Sequence, residues 1–364
     1  MLLSLATTRG IGWDYNWKRS MKLDFIDVRR AYFHATAKRN IYVALPEEDS
    51  QEGKCGRLNK AMGGTRDAAQ NWESEYIKFM ESVGFRKGRA TPCVFYHQEN
   101  NLRVTVHGDD FTVLGFEENL DWFRIMIANR YEVKFRGRIG PNIGDEHSIR
   151  ILNRIIEWGE RGIHYEADQR HADIIVSALE LDSANSVVTP GEKNSEPKDD
   201  TPLESLQATA YRAIVARGLY LSQDRSDIGY AVKELSRRMS DPTKGDWEGL
   251  KRLGRYLADK RRYRILYEYH EDPRRIVVWT DSDFAGCART RKSTSGGVVM
   301  HGSHLVKSWS ITQAVIALSS GEAEYDAMVK GGCVGIGMQS IMSDLEVKAD
   351  IEISTDASAA KGDS

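Results

Sequence analysis

Cysteine is scarce and scattered. Cys55, Cys93, Cys287 and Cys333 are the four in 364 residues, and no two form a CxxC pair. That spacing argues against a thiolate zinc site or a disulfide framework and predicts reduced thiols in an intracellular protein. Long apolar runs are missing too, since no stretch approaches the roughly 18 residues that span a bilayer. The opening MLLSLATTRG has no basic residues ahead of its apolar ones, so it reads as a clipped helix and not as a secretion signal. An excess of one charge is also lacking: 51 basic and 53 acidic residues leave a formal net charge of −2. Whole-chain electrostatics therefore neither demands nor excludes a nucleic-acid partner, and any basic surface must be local.

What is present suits a soluble globular chain. Hydrophobic residues make up 41% and charged residues 29%, enough to bury a core in each of two or three domains. Residues 20–115 mix strand-like and helix-like pieces in an α+β pattern. LDFIDV predicts a strand, and RDAAQNWESEYIKFMESVGF has helical spacing through Ala69, Trp72, Tyr76, Phe79 and Met80. VTVHGDDFTVLG predicts a hairpin. From 120 to 181 come LDWFRIMIANRYEV, strands around IRILNRIIEW and GIHYEA, and a helix RHADIIVSALEL. Residues 183–206 carry Pro190, Pro197 and Pro202 among polar residues and predict a linker.

Three helices follow, the last being KGDWEGLKRLGRYLADKRRYR. In it Lys251, Arg252, Arg255, Lys260, Arg261, Arg262 and Arg264 stand against Asp259 alone, a basic face that is either solvated surface or a phosphate-contacting one. From 275 the chain predicts strands in RIVVWTDSDFAG, GGVVMHG and HLVKSWS, a long helix, and a further strand in DIEISTDA. Gly331, Gly332, Gly335 and Gly337 lie within that helix. Each costs about 1 kcal/mol against alanine, so close packing on a sheet is expected in return.

Two sets of carboxylates carry the chemistry. Asp27 ends one strand, and Asp109 and Asp110 occupy the hairpin turn. Adjacent like charges need either free solvent or a cation between them. An Asp-Asp pair also simply suits a turn. Three such groups on neighbouring strands could hold two Mg²⁺ ions about 4 Å apart for in-line phosphoryl transfer. In the last unit Asp281, Glu324 and Asp356 fall on a strand, a helix and a strand end. That is how a metal-dependent nuclease is built, and also how solvated surface looks.

The stretches LDFIDVRRAYFHA, RLNKAMGGTRDAAQNW, VHGDDFTVLG, DPTKGDWEGLKRLGRYL, WTDSDFAGCARTRKSTSG and ALSSGEAEYDAM occur in this order. In that succession the chain resembles copia-type retrotransposon Pol polyproteins over nearly its whole length, at their reverse transcriptase followed by ribonuclease H. The resemblance implies an α+β reverse transcriptase palm with partial fingers at 1–118 and a thumb-like segment at 119–182. After the linker it implies connection-like helices at 207–270 and a partial ribonuclease H-like α/β domain at 271–364. It makes Asp27, Asp109 and Asp110 the polymerase carboxylates and Asp281, Glu324 and Asp356 three nuclease carboxylates, all as metal ligands. Tyr32 takes the place of the aromatic that excludes a ribose 2′-hydroxyl, and Leu152–Asn153 that of a primer-holding turn. Arg66, Asp67, Lys251, Arg252 and Arg255 are the substrate-contacting candidates.

The implied cofactor is Mg²⁺, with Mn²⁺ as a substitute. The implied partners are an RNA template, a DNA primer, RNA–DNA hybrid and dNTPs, with no membrane. The implied setting is a cytoplasmic virus-like particle, the nucleus or both, with DNA integration as the end of the pathway. Two positions depart from the family pattern. His107 stands where the family has tyrosine, and Asp67 where it has glutamine. A carboxylate there would repel a triphosphate unless Arg66 neutralises it. The family also carries more sequence before Asp27 and beyond Ser364, so the expectation is a piece truncated at both ends with weak polymerase and no meaningful nuclease activity. The alternative is a non-catalytic nucleic-acid-binding remnant of a degraded element.

Overall fold

The computed structural model describes residues 1–192, 199–287 and 289–356. Positions 193–198 of the expected linker, and 357–364 of the expected last domain, lie outside the described residues. The chain forms two compact units: residues 1–147 with 337–349, and residues 148–336 with the described residues from 350 on.

The first unit is built on strands β1 (Lys22–Val28), β2 (Arg86–Lys87), β3 (Val94–His97), β4 (Leu102–His107), β5 (Asp110–Gly115) and β6 (Val133–Ile139), with helices α1 (Ala68–Ser82) and α2 (Glu117–Arg130). They form one sheet in the order β2-β3-β4-β5-β1-β6, antiparallel at every pairing. Trp72, Tyr76, Phe79 and Met80 form the buried stripe of α1, and Leu120, Phe123 and Ile127 that of α2. Both pack on Val104, Val106, Phe111 and Val113 of the sheet in one apolar core. Ala69, expected in the α1 stripe, is exposed, and Ala68 is buried in its place.

Strand β1 lies between β5 and the edge strand β6 and is buried almost throughout, so its Asp24 must be paired. Arg124 donates to both carboxylate oxygens at 2.6 and 2.5 Å, and Arg138 adds bonds at 3.0 and 3.3 Å.

Strand β6 was not expected, although its sequence VKFRGRI alternates Lys134, Arg136 and Arg138 with Val133, Phe135, Gly137 and Ile139. It hydrogen-bonds to β1 from the side opposite β5. With α2 it corrects the domain expectation: 119–182 is not one thumb-like piece, because its part up to 147 belongs to the first unit.

The second unit begins with β7 (Ser148–Ile151), β8 (Arg154–Gly159) and β9 (Gly162–Glu166). Helices α3 (Gln169–Ala178), α4 (Ser205–Leu221), α5 (Gly229–Ser236) and α6 (Lys244–Asp259) follow, then β10 (Arg264–Glu268). β7 to β10 make a four-stranded antiparallel meander. IRILNRIIEW is therefore two strands and not one, joined by a two-residue turn at Leu152–Asn153. The helices share a core around Ile175, Tyr211, Ile214, Leu250, Leu253 and Leu257. Helix α6 starts with a capping box in which Thr243 and Asp246 each satisfy the other's backbone N–H. The expected linker joins helices of this one unit, and Leu203 N–H donates to the Pro242 carbonyl at 2.9 Å just before α4.

The remaining elements are β11 (Arg275–Asp283), β12 (Thr294–His301), β13 (His304–Thr312), α7 (Ser320–Asp344) and β14 (Asp350–Ser354). The sheet order is β13-β12-β11-β14, antiparallel except for the parallel β11–β14 pair. Two of the four helix glycines have the expected packing role. A Cβ on Gly331 would stand 2.2 Å from Thr280 Cγ2, and one on Gly335 3.0 Å from Val278 Cγ2. Gly332 has ordinary clearance, and a Cβ on Gly337 would meet nothing within 4 Å. All four cysteines are free thiols. No helix among the described residues is long and apolar enough to cross a membrane.

Candidate active sites

The first site grows out of a two-residue hairpin. His107 pairs with Asp110 across Gly108–Asp109. Gly108 has φ +64°, the value a tight hairpin wants at its first central residue, where a side chain would be strained. The turn is also held from outside the sheet, because Trp72 Nε1 of α1 donates to the Gly108 carbonyl at 2.8 Å. Asp110 then lies directly opposite Asp27 on β1, and Val28 N–H donates to the Asp109 carbonyl at 2.9 Å. Three carboxylates thus collect at one end of three adjacent strands. Asp109 is exposed, and the other two are half-buried.

The electrostatics follow from that crowding. Burial, then the charges of Asp109 and Asp27, push the Asp110 carboxyl above its ordinary range. Arg136 of β6 donates to Asp27 Oδ2 at 2.6 Å, and that bond raises the guanidinium's own proton affinity. Arg136 thus serves as the local counter-ion. Among the described residues, two other clusters bring one ligand atom per side chain within 4.8 Å of one another, and Asp27, Asp109 and Asp110 are not such a set. The donor chemistry and the crowding of Asp110 by Asp109 and Asp27 fit a hard divalent cation.

The surrounding candidates fall into place unevenly. Tyr32 is 37% exposed on the short helix Ala31–His34, five residues past Asp27. The departure at Asp67 is compensated, but not by Arg66. Arg39 donates to Asp67 Oδ1 at 2.7 Å and holds that carboxyl down to about 2, while Asn71 donates to the other oxygen. Arg66 is exposed. The sequence could not single out Arg39, which lies 28 positions away. In the second unit Leu152 and Asn153 both take left-handed backbone, φ +49° and +64°, which suits a type I′ hairpin and is unusual for leucine.

The second site lies wholly in the second unit. One oxygen each of Asp281 (β11), Glu324 (α7) and Asp356, just past β14, come within 4.8 Å of one another. The parallel β11–β14 pairing sets the two aspartates side by side. Ser282 donates to Glu324 Oε1 through its N–H at 3.2 Å and its hydroxyl at 3.0 Å. Glu324 Oε2 is buried without a hydrogen-bond partner. Burial, with Asp281 and Asp356 nearby, raises the Glu324 proton affinity against the opposing Ser282 bonds. A partnerless buried carboxylate oxygen among three converging carboxylates fits a divalent cation directly.

The basic run of α6 and β10 differs from its expectation. Lys251 pairs with Glu248, and Arg252 with Glu192. Arg261 reaches Asp173 and Asp182. Arg262 and Arg264 both grip the buried Glu166. The run looked unbalanced because its acidic partners come mostly from distant sequence. Arg255 remains half-buried beside Lys251 and Arg252 along the same groove.

Against this geometry, residues 13–193 match the family described as "Reverse transcriptase (RNA-dependent DNA polymerase)". The chain is 26% identical over 340 residues to the retrovirus-related Pol polyprotein from transposon TNT 1-94 of Nicotiana tabacum, covering 89% of this chain and 25% of the relative. It is 27% identical over 333 residues to the corresponding polyprotein from transposon RE2 of Arabidopsis thaliana, covering 88% and 22%. The chain thus spans about a quarter of the length of these relatives. Its fold is similar to a foamy viral protease-reverse transcriptase solved in complex with RNA/DNA hybrid. That match has a TM-score of 0.51 and 11% identity, and covers 98% of this chain and 40% of the other.

Proposed function

Because the chain belongs to the copia-type transposon Pol polyproteins, at their reverse transcriptase segment, we propose that its first unit is the palm of an RNA-directed DNA polymerase. It would extend a DNA primer with dNTPs on an RNA or DNA template. The observation that carries this reading is the cross-strand pairing of Asp27 with Asp110, with Asp109 at the glycine turn, inside the matched residues.

Mg²⁺ held by Asp27, Asp109 and Asp110, or Mn²⁺ in its place, would polarise the transferred phosphate and acidify the primer 3′-hydroxyl. The chain's own groups do the rest. The Trp72 bond to Gly108 fixes the turn and so the direction of Asp109 and Asp110. Tyr32 offers an exposed ring beside the carboxylates' end of the strand, suited to filling the space of a sugar 2′-hydroxyl. Arg39 neutralises Asp67, so that carboxylate does not repel the triphosphate. In the second unit Asp281, Glu324 and Asp356 are proposed as a ribonuclease H-like carboxylate set acting on RNA in a hybrid. Ser282 holds one oxygen of Glu324, and the other, which has no hydrogen-bond partner, would take the ion.

Primer extension on poly(rA)/oligo(dT) tests the polymerase reading, comparing the wild type with Asp110→Ala in Mg²⁺ and in Mn²⁺. Extension that falls to about a hundredth or less in the variant supports it. Extension that survives the change sinks it. A second reading, hybrid binding without turnover, is favoured by the Arg136 bond that occupies Asp27. A cooperatively folded wild type that binds hybrid and extends nothing would establish that one.

A further inference from the structure

The β12–β13 hairpin closes with a two-residue turn, Gly302–Ser303, and its last paired residues are His301 and His304. Directly opposed residues of an antiparallel pair project to the same face, so the register alone sets these two imidazoles side by side. A third ring comes from the segment after β10. His270 stacks on His304 with ring centroids 3.9 Å apart, and lies 5.3 Å from His301. One ring nitrogen of each of the three comes within 4.8 Å of the others. His301 and His304 are fully buried, and His270 is partly so.

Two further contacts have the form that surrounds metal-bound histidines. The Glu268 carbonyl stands 2.7 Å from His304 Nε2. A carbonyl only accepts, so Nε2 carries the hydrogen and Nδ1 keeps its lone pair. Asp272 Oδ1 stands 4.0 Å from His301 Nε2, a carboxylate behind an imidazole. A carbonyl at hydrogen-bond distance orients the ring of a zinc-binding histidine and raises its basicity, and Asp272 would do the same for His301 on closing by about 1 Å. Gly302 is the third fitted part. Its φ is +61°, and a Cβ there would stand 2.4 Å from His270 Nδ1, so only glycine lets the third ring close on the turn.

We propose that His270, His301 and His304 bind one first-row transition metal ion, zinc first among them, which staples the 302–303 hairpin to the segment following β10. Three imidazoles with a fourth position left for water is an ordinary zinc set. Nitrogens 2.0–2.1 Å from zinc stand roughly 3.3 Å apart in a tetrahedron, so closure needs ring rotations of about 1.5 Å at most. The two carboxylate sites are all-oxygen and take hard cations, so this site differs from them in chemistry as well as in residues.

The test uses the full chain, stripped of metal with a chelator and titrated with Co²⁺, then with Zn²⁺. One Co²⁺ per chain should produce the intense visible bands of a four-coordinate nitrogen site, and one equivalent of Zn²⁺ should abolish them. His304→Ala and His270→Asn should each weaken binding at least a hundredfold, and Asp272→Asn by about 10- to 100-fold. A triple variant with Asp281→Asn, Glu324→Gln and Asp356→Asn should leave the bands unchanged. A folded wild type with no such bands at excess Co²⁺ overturns the proposal, and so do bands that persist in both histidine variants. Should those variants fail to fold, native mass spectrometry of the wild type decides: one zinc per chain supports the site, and none overturns it.

Discussion

Arg136 reaches Asp27 diagonally across the β1–β6 pairing, whose direct partner for Asp27 is Lys134, and donates to its carboxylate at 2.6 Å. The bond sets a cationic side chain against any ion that would use the same oxygen. Arg136→Met should therefore raise the affinity of the first site for Mn²⁺ several-fold, because Asp27 loses the counter-charge bonded to its carboxylate. Mn²⁺ binding followed by electron paramagnetic resonance reads this directly. A fall in affinity would mean that the arginine positions Asp27 and does not compete for it.

Glu324 raises the opposite question, of charge with no counter-charge. Its proton affinity is pushed up by burial and by Asp281 and Asp356. Glu324→Gln should accordingly raise the melting temperature in EDTA, and millimolar Mg²⁺ should stabilise the wild type but not the variant. Equal Mg²⁺ stabilisation of both proteins would count against Glu324 as a ligand.

Glu166 predicts a pH dependence. The bond from Arg262, and then that from Arg264, hold its carboxyl below the ordinary glutamate range against the cost of burial. A depressed folded-state value means the contribution is complete above the unfolded value near 4.5 and disappears as pH falls through the folded one. Glu166→Gln should cost about 1–2 kcal/mol at pH 7, allowing for solvent around the exposed arginines. Denaturant melts of the two proteins should draw together as pH falls below the unfolded value near 4.5.

Two glycines of α7 should respond with opposite sign. Gly331→Ala drives a methyl group to 2.2 Å from Thr280 and should destabilise by about 1–3 kcal/mol. Gly337→Ala meets open space and should stabilise by up to about 1 kcal/mol through helix propensity. Urea titration of the pair separates packing from propensity.

Much of this was legible from short range. The GDD hairpin, the α1 stripe from Trp72 to Met80 and the strand–helix–strand order of the last carboxylates all follow from local periodicity and turn chemistry. What stayed hidden is what the tertiary fold brings together. Strand β6 does alternate, with Lys134, Arg136 and Arg138 on one face, but the other face is interrupted by Gly137 and leaves Phe135 exposed, so its apolar signal is weak. Arg39 was invisible as the partner of Asp67, and Glu166 as the partner of Arg262 and Arg264, because nothing local marks an ion pair so distant in sequence. The histidines escaped notice for the same reason: two share a tight turn, but the third lies 31 residues before the first of them.

The ion pairs of the basic run bear on how nucleic acid would feel this chain. Affinity for a polyanion falls with salt because bound cations are released from its phosphates, one for each protein charge that replaces them. Lys251, Arg252, Arg261, Arg262 and Arg264 already hold carboxylates. A phosphate landing there must evict an internal anion, and salt weakens the pair being broken as well as the one being made. A plot of log affinity against log salt should therefore slope much less than the seven basic residues of this run would suggest.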